Sequence, residues 1–169
     1  MTTSLAEAID TAGSQFRREP PRARATFKSE SALGERFRSE VKLRSHSLTV
    51  DEPHGIGGTD AGPTPIELVL AALGTCQEIT YRAFATAMGI PLTGVAVTVE
   101  GDIDFRGFFA IDDNIRPGFE RIRVLVRLDS NADEPALQRL TAAVNRHCPV
   151  LDMLTRPVPT EVSVERIAG

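Results

Sequence analysis

The chain is 169 residues long, 41% hydrophobic and 25% charged, with a net charge of −4 and a pI near 5.4. This is the size and composition of one globular domain, and the acidity, the absence of Trp and the single Tyr argue against nucleic acid or an anionic membrane as partner. No apolar run approaches the roughly 18 residues that span a bilayer, and the N-terminus lacks a basic start leading into an apolar stretch, so a cytoplasmic protein is expected.

Residues 4–18 have a thin apolar stripe, Leu5, Ala8, Ile9 and Phe16, at helical spacing, and "REPPRAR" closes it because paired prolines cannot continue a helix. Residues 1–24 therefore read as an appendage to a domain covering 25–169. From Ala25 the pattern alternates: "ATFKSES", "RFRSEVKLRS" and "HSLTVDE" predict three short antiparallel strands, with "ALGE" as the turn between the first two. The loop "PHGIGGTDAGPTP" lacks the lysine and spacing of a phosphate-binding loop. Its end carries a helix-start signature, with Thr64 as N-cap, Pro65 in the first helical position and Glu67 closing a capping box.

Pro65–Met88 then reads as a long helix, apolar nearly all round and hence central. Gly74 within it implies a neighbouring element packed close, and Glu78 with Arg82 reads as an i,i+4 surface ion pair. "GVAVTVEGDIDF" and "FERIRVLVRLDS" alternate as strands, joined by a long connection in which Phe108 and Phe109 are expected to rest on something apolar. "NADEPALQRLTAAVNRHC" is a second helix with Leu137, Leu140, Ala143, Val144 and His147 inward. Pro149 opens a short third helix, and "VPTEVSVERI" reads as a final strand. The order implies an α+β domain, antiparallel sheet packed on a long central helix.

Only two cysteines are present, Cys76 in the long helix and Cys148 before Pro149, and neither lies in a metal-ligand pattern. In a cytoplasmic chain, two such residues are most often small buried hydrophobes. Cys148 stands at a helix N-cap, where free N–H groups favour the thiolate, whereas Cys76 among apolar neighbours needs a cation from elsewhere to ionise readily. The basic strand "RFRSEVKLR" is the dense upstream supply of cations.

"GPTPIELVLAALGTCQEITY" followed by "NRHCPVLDML" resembles the OsmC/Ohr family of thiol-dependent peroxidases over about residues 25–167. The resemblance implies an intertwined homodimer of α+β subunits with active sites at the interface. It also implies that Cys76 attacks an organic hydroperoxide, that Cys148 resolves the sulfenic acid as a disulfide, and that a dithiol reductant restores both thiols without metal or organic cofactor. In one branch of the family an arginine from the early strands is held by a glutamate ten residues before the cysteine. Here that position is Ile66; Glu67, nine residues away, points about 180° from the cysteine direction. Arg36, Arg38 and Arg44 lie on candidate strands, and Arg38 is the choice. The departure at Ile66 leaves a second reading, a catalytically weak relative that binds a small ligand or senses redox state.

Overall fold

In the computed structural model, residues 3–167 are described. Helix α1, Leu5–Arg18, starts with a capping box between Ser4 and Glu7 and ends before the helical turn Pro20–Ala23. Strands β1 (Glu30–Leu33), β2 (Ser39–Leu43) and β3 (His46–Val50) form an antiparallel sheet in that order. The first strand starts later than expected: Ala32 and Leu33, read as turn, pair with Glu40 and Ser39, while Ala25–Ser29 lie outside it. The turn instead spans Gly34–Arg38, closed by a hydrogen bond from Gly34 N–H to the Arg38 carbonyl (2.8 Å), with Arg36 in the left-handed region at φ 53°.

The glycine-rich loop after β3 is pinned, not loose. Asp51 is fully buried, and its carboxylate accepts from the Glu52, Thr59 and Ala61 N–H groups and from the Thr59 hydroxyl at 2.5 Å. These bonds fold the loop back on itself so tightly that a Cβ at Gly58 would sit 1.7 Å from the Glu52 carbonyl oxygen. The Thr59 hydroxyl, aided by the three N–H groups, holds the Asp51 carboxyl well below the usual carboxylate range.

Helix α2 runs Pro65–Met88 as expected, and both arms of its capping box form: Glu67 N–H donates to Thr64 Oγ1, and Thr64 N–H donates to Glu67 Oε2 at 2.7 Å. Gly89, with φ 65°, ends it. The nine-residue strands β4 (Gly94–Asp102) and β5 (Arg121–Asp129) pair antiparallel, and β4 lies along α2, Val97 and Val99 facing Gly74. A Cβ at Gly74 would meet Val99 at an ordinary 3.4 Å, so the neighbour is there but does not demand glycine. Helix α3, Phe105–Phe108, is one turn inside the connection; Phe108 and Phe109 stack edge to face on each other and stay largely exposed rather than seated on the core.

Helices α4 (Glu134–His147, capped by Asp133) and α5 (Pro149–Thr155) follow. The core forms where α4 crosses α2: Tyr81, Ala85 and Leu92 against Leu140 and Val144, with Val95, Val126 and Leu128 packed beside them. Arg82 does not pair with Glu78; its guanidinium donates to the carbonyls of Leu92 and Thr93, tying α2 to the start of β4. The last expected strand is absent. Residues 157–167 have no strand pairing, and Val162 and Val164 are 84% and 91% exposed. Among the described residues no helix is long and apolar enough to cross a membrane.

Two outcomes follow from these packing facts. Leu140→Ala, at a wholly buried position, is expected to lower the unfolding free energy by about 2–5 kcal/mol in urea denaturation. Asp51 has a folded carboxyl pKa below its unfolded value, so its contribution is present above about pH 4 and declines as pH falls toward the folded value. The difference in urea midpoint between wild type and Asp51→Asn is therefore expected to be largest near neutrality and to shrink between about pH 4 and pH 2.

Candidate active site

The two cysteines meet because their helices do. Leu140, Val144 and Cys148 succeed one another at i, i+4 and i+8, so the stripe that seats α4 on α2 delivers Cys148 at its C-terminal end. On α2, Leu73, Gln77, Thr80 and Tyr81 form the buried face, with Cys76 at its margin. Cys148 Sγ lies 3.4 Å from Cys76 Sγ, with its S–H as donor, and both thiols are free. Two positions 72 apart in the chain thus close on a sulfur–sulfur van der Waals contact.

The environments of the two differ. Cys148 is wholly buried, capping α4 and opening α5; Cys76 is half-buried. The position of Cys148 at a helix start was expected to lower its pKa. Burial instead pushes the thiol up, and the N–H groups of Leu151 and Val150 offset only part of that cost. His147 does not reach the sulfur as a charge partner; it stacks on Phe84, ring centroids 5.3 Å apart. The Thr80 hydroxyl donates to the Cys76 carbonyl at 2.7 Å, which satisfies this buried hydroxyl within the helix.

The expected arginine stands elsewhere in a single copy of the chain. Arg38, just before β2, donates to Glu40 from Nε and Nη2 at 3.0 and 2.9 Å, and the β1–β3 sheet makes no extended contact with α2. Arg36 and Arg44 occupy turns rather than strands, and Arg36 donates to the Gly57 carbonyl. Ile66 lines an apolar pocket of about 370 Å³ at the start of α2, together with Ile56, Leu70, Phe105 and the carboxylates of Glu52 and Glu67. Glu67 is occupied by capping. Glu52 is pushed above the ordinary carboxylate range, first by burial, then by the charges of Asp51 and Glu67. The pinned loop therefore forms one wall of this pocket. Among the described residues no cluster of three or more His, Cys, Asp or Glu could hold a metal ion.

A sequence profile described as OsmC-like protein matches residues 58–163, which contain both cysteines and the helices that carry them. The chain belongs to the OsmC-like family. The OsmC-like fold is shared with an OsmC-like protein from Mycoplasma pneumoniae at a TM-score of 0.68 and 19% identity, covering 78% of this chain and 88% of the other. It is also shared with an organic hydroperoxide resistance protein from Legionella pneumophila (TM-score 0.59, 19% identity, 77% and 89% covered). A third likeness is to an organic hydroperoxide resistance protein from Elizabethkingia anophelis (0.60, 20%, 79% and 90%). No curated protein matches significantly.

Two buried polar residues, Asp51 and Gln77, escaped the sequence reading. Gln77 is i+4 from Leu73 and i−4 from Tyr81, so the helical period places it on the inner face, although a polar amide does not register in an apolar pattern. The unequal exposure of the thiols has a direct readout. Limiting iodoacetamide on the reduced protein, followed by peptide mass mapping, is expected to label Cys76 at least about tenfold faster than Cys148, whose sulfur is both buried and protonated.

Proposed function

We propose that this OsmC-like protein is a thiol peroxidase for organic hydroperoxides, with Cys76 as the peroxidatic and Cys148 as the resolving cysteine. The 3.4 Å separation of the two sulfurs carries this reading: a disulfide, at about 2.05 Å, needs less than about 1.5 Å of approach. The half-buried sulfur is the one a peroxide reaches, and the buried one is held in reserve beside it. The Cys76 thiolate attacks the distal oxygen of ROOH, the O–O bond breaks, and the alkoxide leaves as ROH after taking a proton. Cys76 becomes a sulfenic acid, oxidised by two electrons. Cys148 then attacks that sulfur and expels water, and an external dithiol returns both thiols while becoming a disulfide itself. No metal or organic cofactor enters these steps.

Arg38 is the proposed activating cation, supplied from a second copy of the chain. The dimer is supported by surface: one chain exposes 13009 Å², against about 8,000 Å² for a compact monomer of this mass. An obligate interface removes about 1,000–2,500 Å² from each chain, well within this excess, and the unpaired segment 157–167 and the exposed Ile79 and Val69 of α2 are surfaces for a partner to cover. With Ile66 in place of a glutamate, Glu52 on the same pocket wall is the carboxylate available to hold a guanidinium. A cytoplasmic location suits two free thiols.

The test is a thiol count on reduced protein, without oxygen, after one equivalent of tert-butyl hydroperoxide. Wild type is expected to lose both thiols within seconds, Cys148→Ser to stop at a sulfenic acid on Cys76, and Cys76→Ser to be inert. Survival of both thiols through minutes of excess peroxide would reject the peroxidase and leave the ligand-binding or redox-sensing reading.

A further inference from the structure

We infer that the cleft between α2, α4 and β5 is a binding site for an uncharged small molecule carrying a hydrogen-bond donor on an apolar body, anchored by the Gln77 amide. The inference is independent of the thiol chemistry. β4 packs along α2, whereas β5 stands off it, and the gap left between β5 and the two helices has a volume of about 560 Å³. That is within the range of small-molecule sites.

The lining selects the ligand class. Val124, Val126 and Leu128, successive inward residues of β5, make an apolar floor. The opposite wall carries four polar side chains from two helices: Gln77, Tyr81, Thr141 and Asn145. No Asp, Glu, Lys, Arg or His lines the cleft, so a charged ligand would lose its hydration without a counter-charge. The Tyr81 hydroxyl is already used, donating to Thr141 Oγ1 at 3.2 Å. Gln77 is not. It is 2% exposed, and its Oε1 is the one buried side-chain oxygen or nitrogen among the described residues without a hydrogen-bond partner.

An orphaned buried acceptor is uncommon in a folded protein and calls for a missing donor. The helix contact itself does not need an amide here, since it is made by Tyr81, Ala85, Leu140 and Val144. A leucine or methionine at position 77 would serve packing equally well; an amide serves a ligand. A primary amide or alcohol on a short aliphatic chain fits all these requirements.

The experiment uses ¹⁵N-labelled full-length reduced protein titrated with hexanamide and 1-hexanol, and with hexanoate and acetamide as counterparts lacking neutrality or the apolar chain. Expected are saturable shifts centred on the Gln77 and Asn145 side-chain amides and the Thr141 backbone, for the first two probes only. Gln77→Leu is expected to weaken hexanamide at least tenfold, and Thr141→Val, which keeps Gln77, severalfold; if Gln77→Leu does not fold, Thr141→Val decides. Shifts without saturation, equal response to hexanoate, or undiminished binding by the variants would overturn the site. So would a concentration-dependent intermolecular contact from a second copy to the Gln77 amide. The peroxide-driven thiol count of Gln77→Leu reads the thiol chemistry separately.

Discussion

The seating of α4 on α2 is the contact on which the rest depends. Leu140 and Val144 are wholly buried against Tyr81 and Ala85, and the same helical stripe, extended by one turn, ends at Cys148. The position of the buried thiol is therefore a consequence of core packing. Any change that slides α4 along α2 by one turn would move the sulfur about 5.4 Å and break the 3.4 Å contact. The site is held by a close-packed interior, which tolerates little displacement.

A second constraint acts at the other end of α2. The Thr64–Glu67 capping box fixes where the helix begins, and Asp51 holds the preceding loop by four hydrogen bonds to one carboxylate. Together they set a firm wall beside Ile66. Glu67 spends its charge on the cap, which is why it does not stand in for the absent glutamate at 66, and Glu52 is left as the unengaged carboxylate in that pocket. Local folding chemistry and candidate site chemistry thus compete for the same residue type within a few positions.

Much of the frame was legible in the chain. The start of α2 follows from Thr64, Pro65 and Glu67, and the break between α4 and α5 from Cys148 and Pro149, because caps and prolines act over three or four residues. What was misread depends on distant partners. The β1–β2 turn starts two residues later than "ALGE" because pairing register, not turn composition, decided it. Arg82 prefers two carbonyls across the fold to the carboxylate one turn away, and Phe108 and Phe109 meet edge to face while staying outside the core.

By itself the sequence determined the long helices, the cap at Thr64, the alternation of the β4–β5 pair and the presence of two cysteines in a pattern resembling one family, since these are read from neighbours along the chain. Only the tertiary structure decided that the sulfurs touch, that Cys148 is the sheltered member of the pair with its thiol pKa pushed up by burial, and that Gln77 turns a bare amide oxygen inward. The reason is physical: a helix start favours a thiolate through local dipoles, but desolvation depends on everything packed around the sulfur, and at Cys148 burial outweighs the helix end.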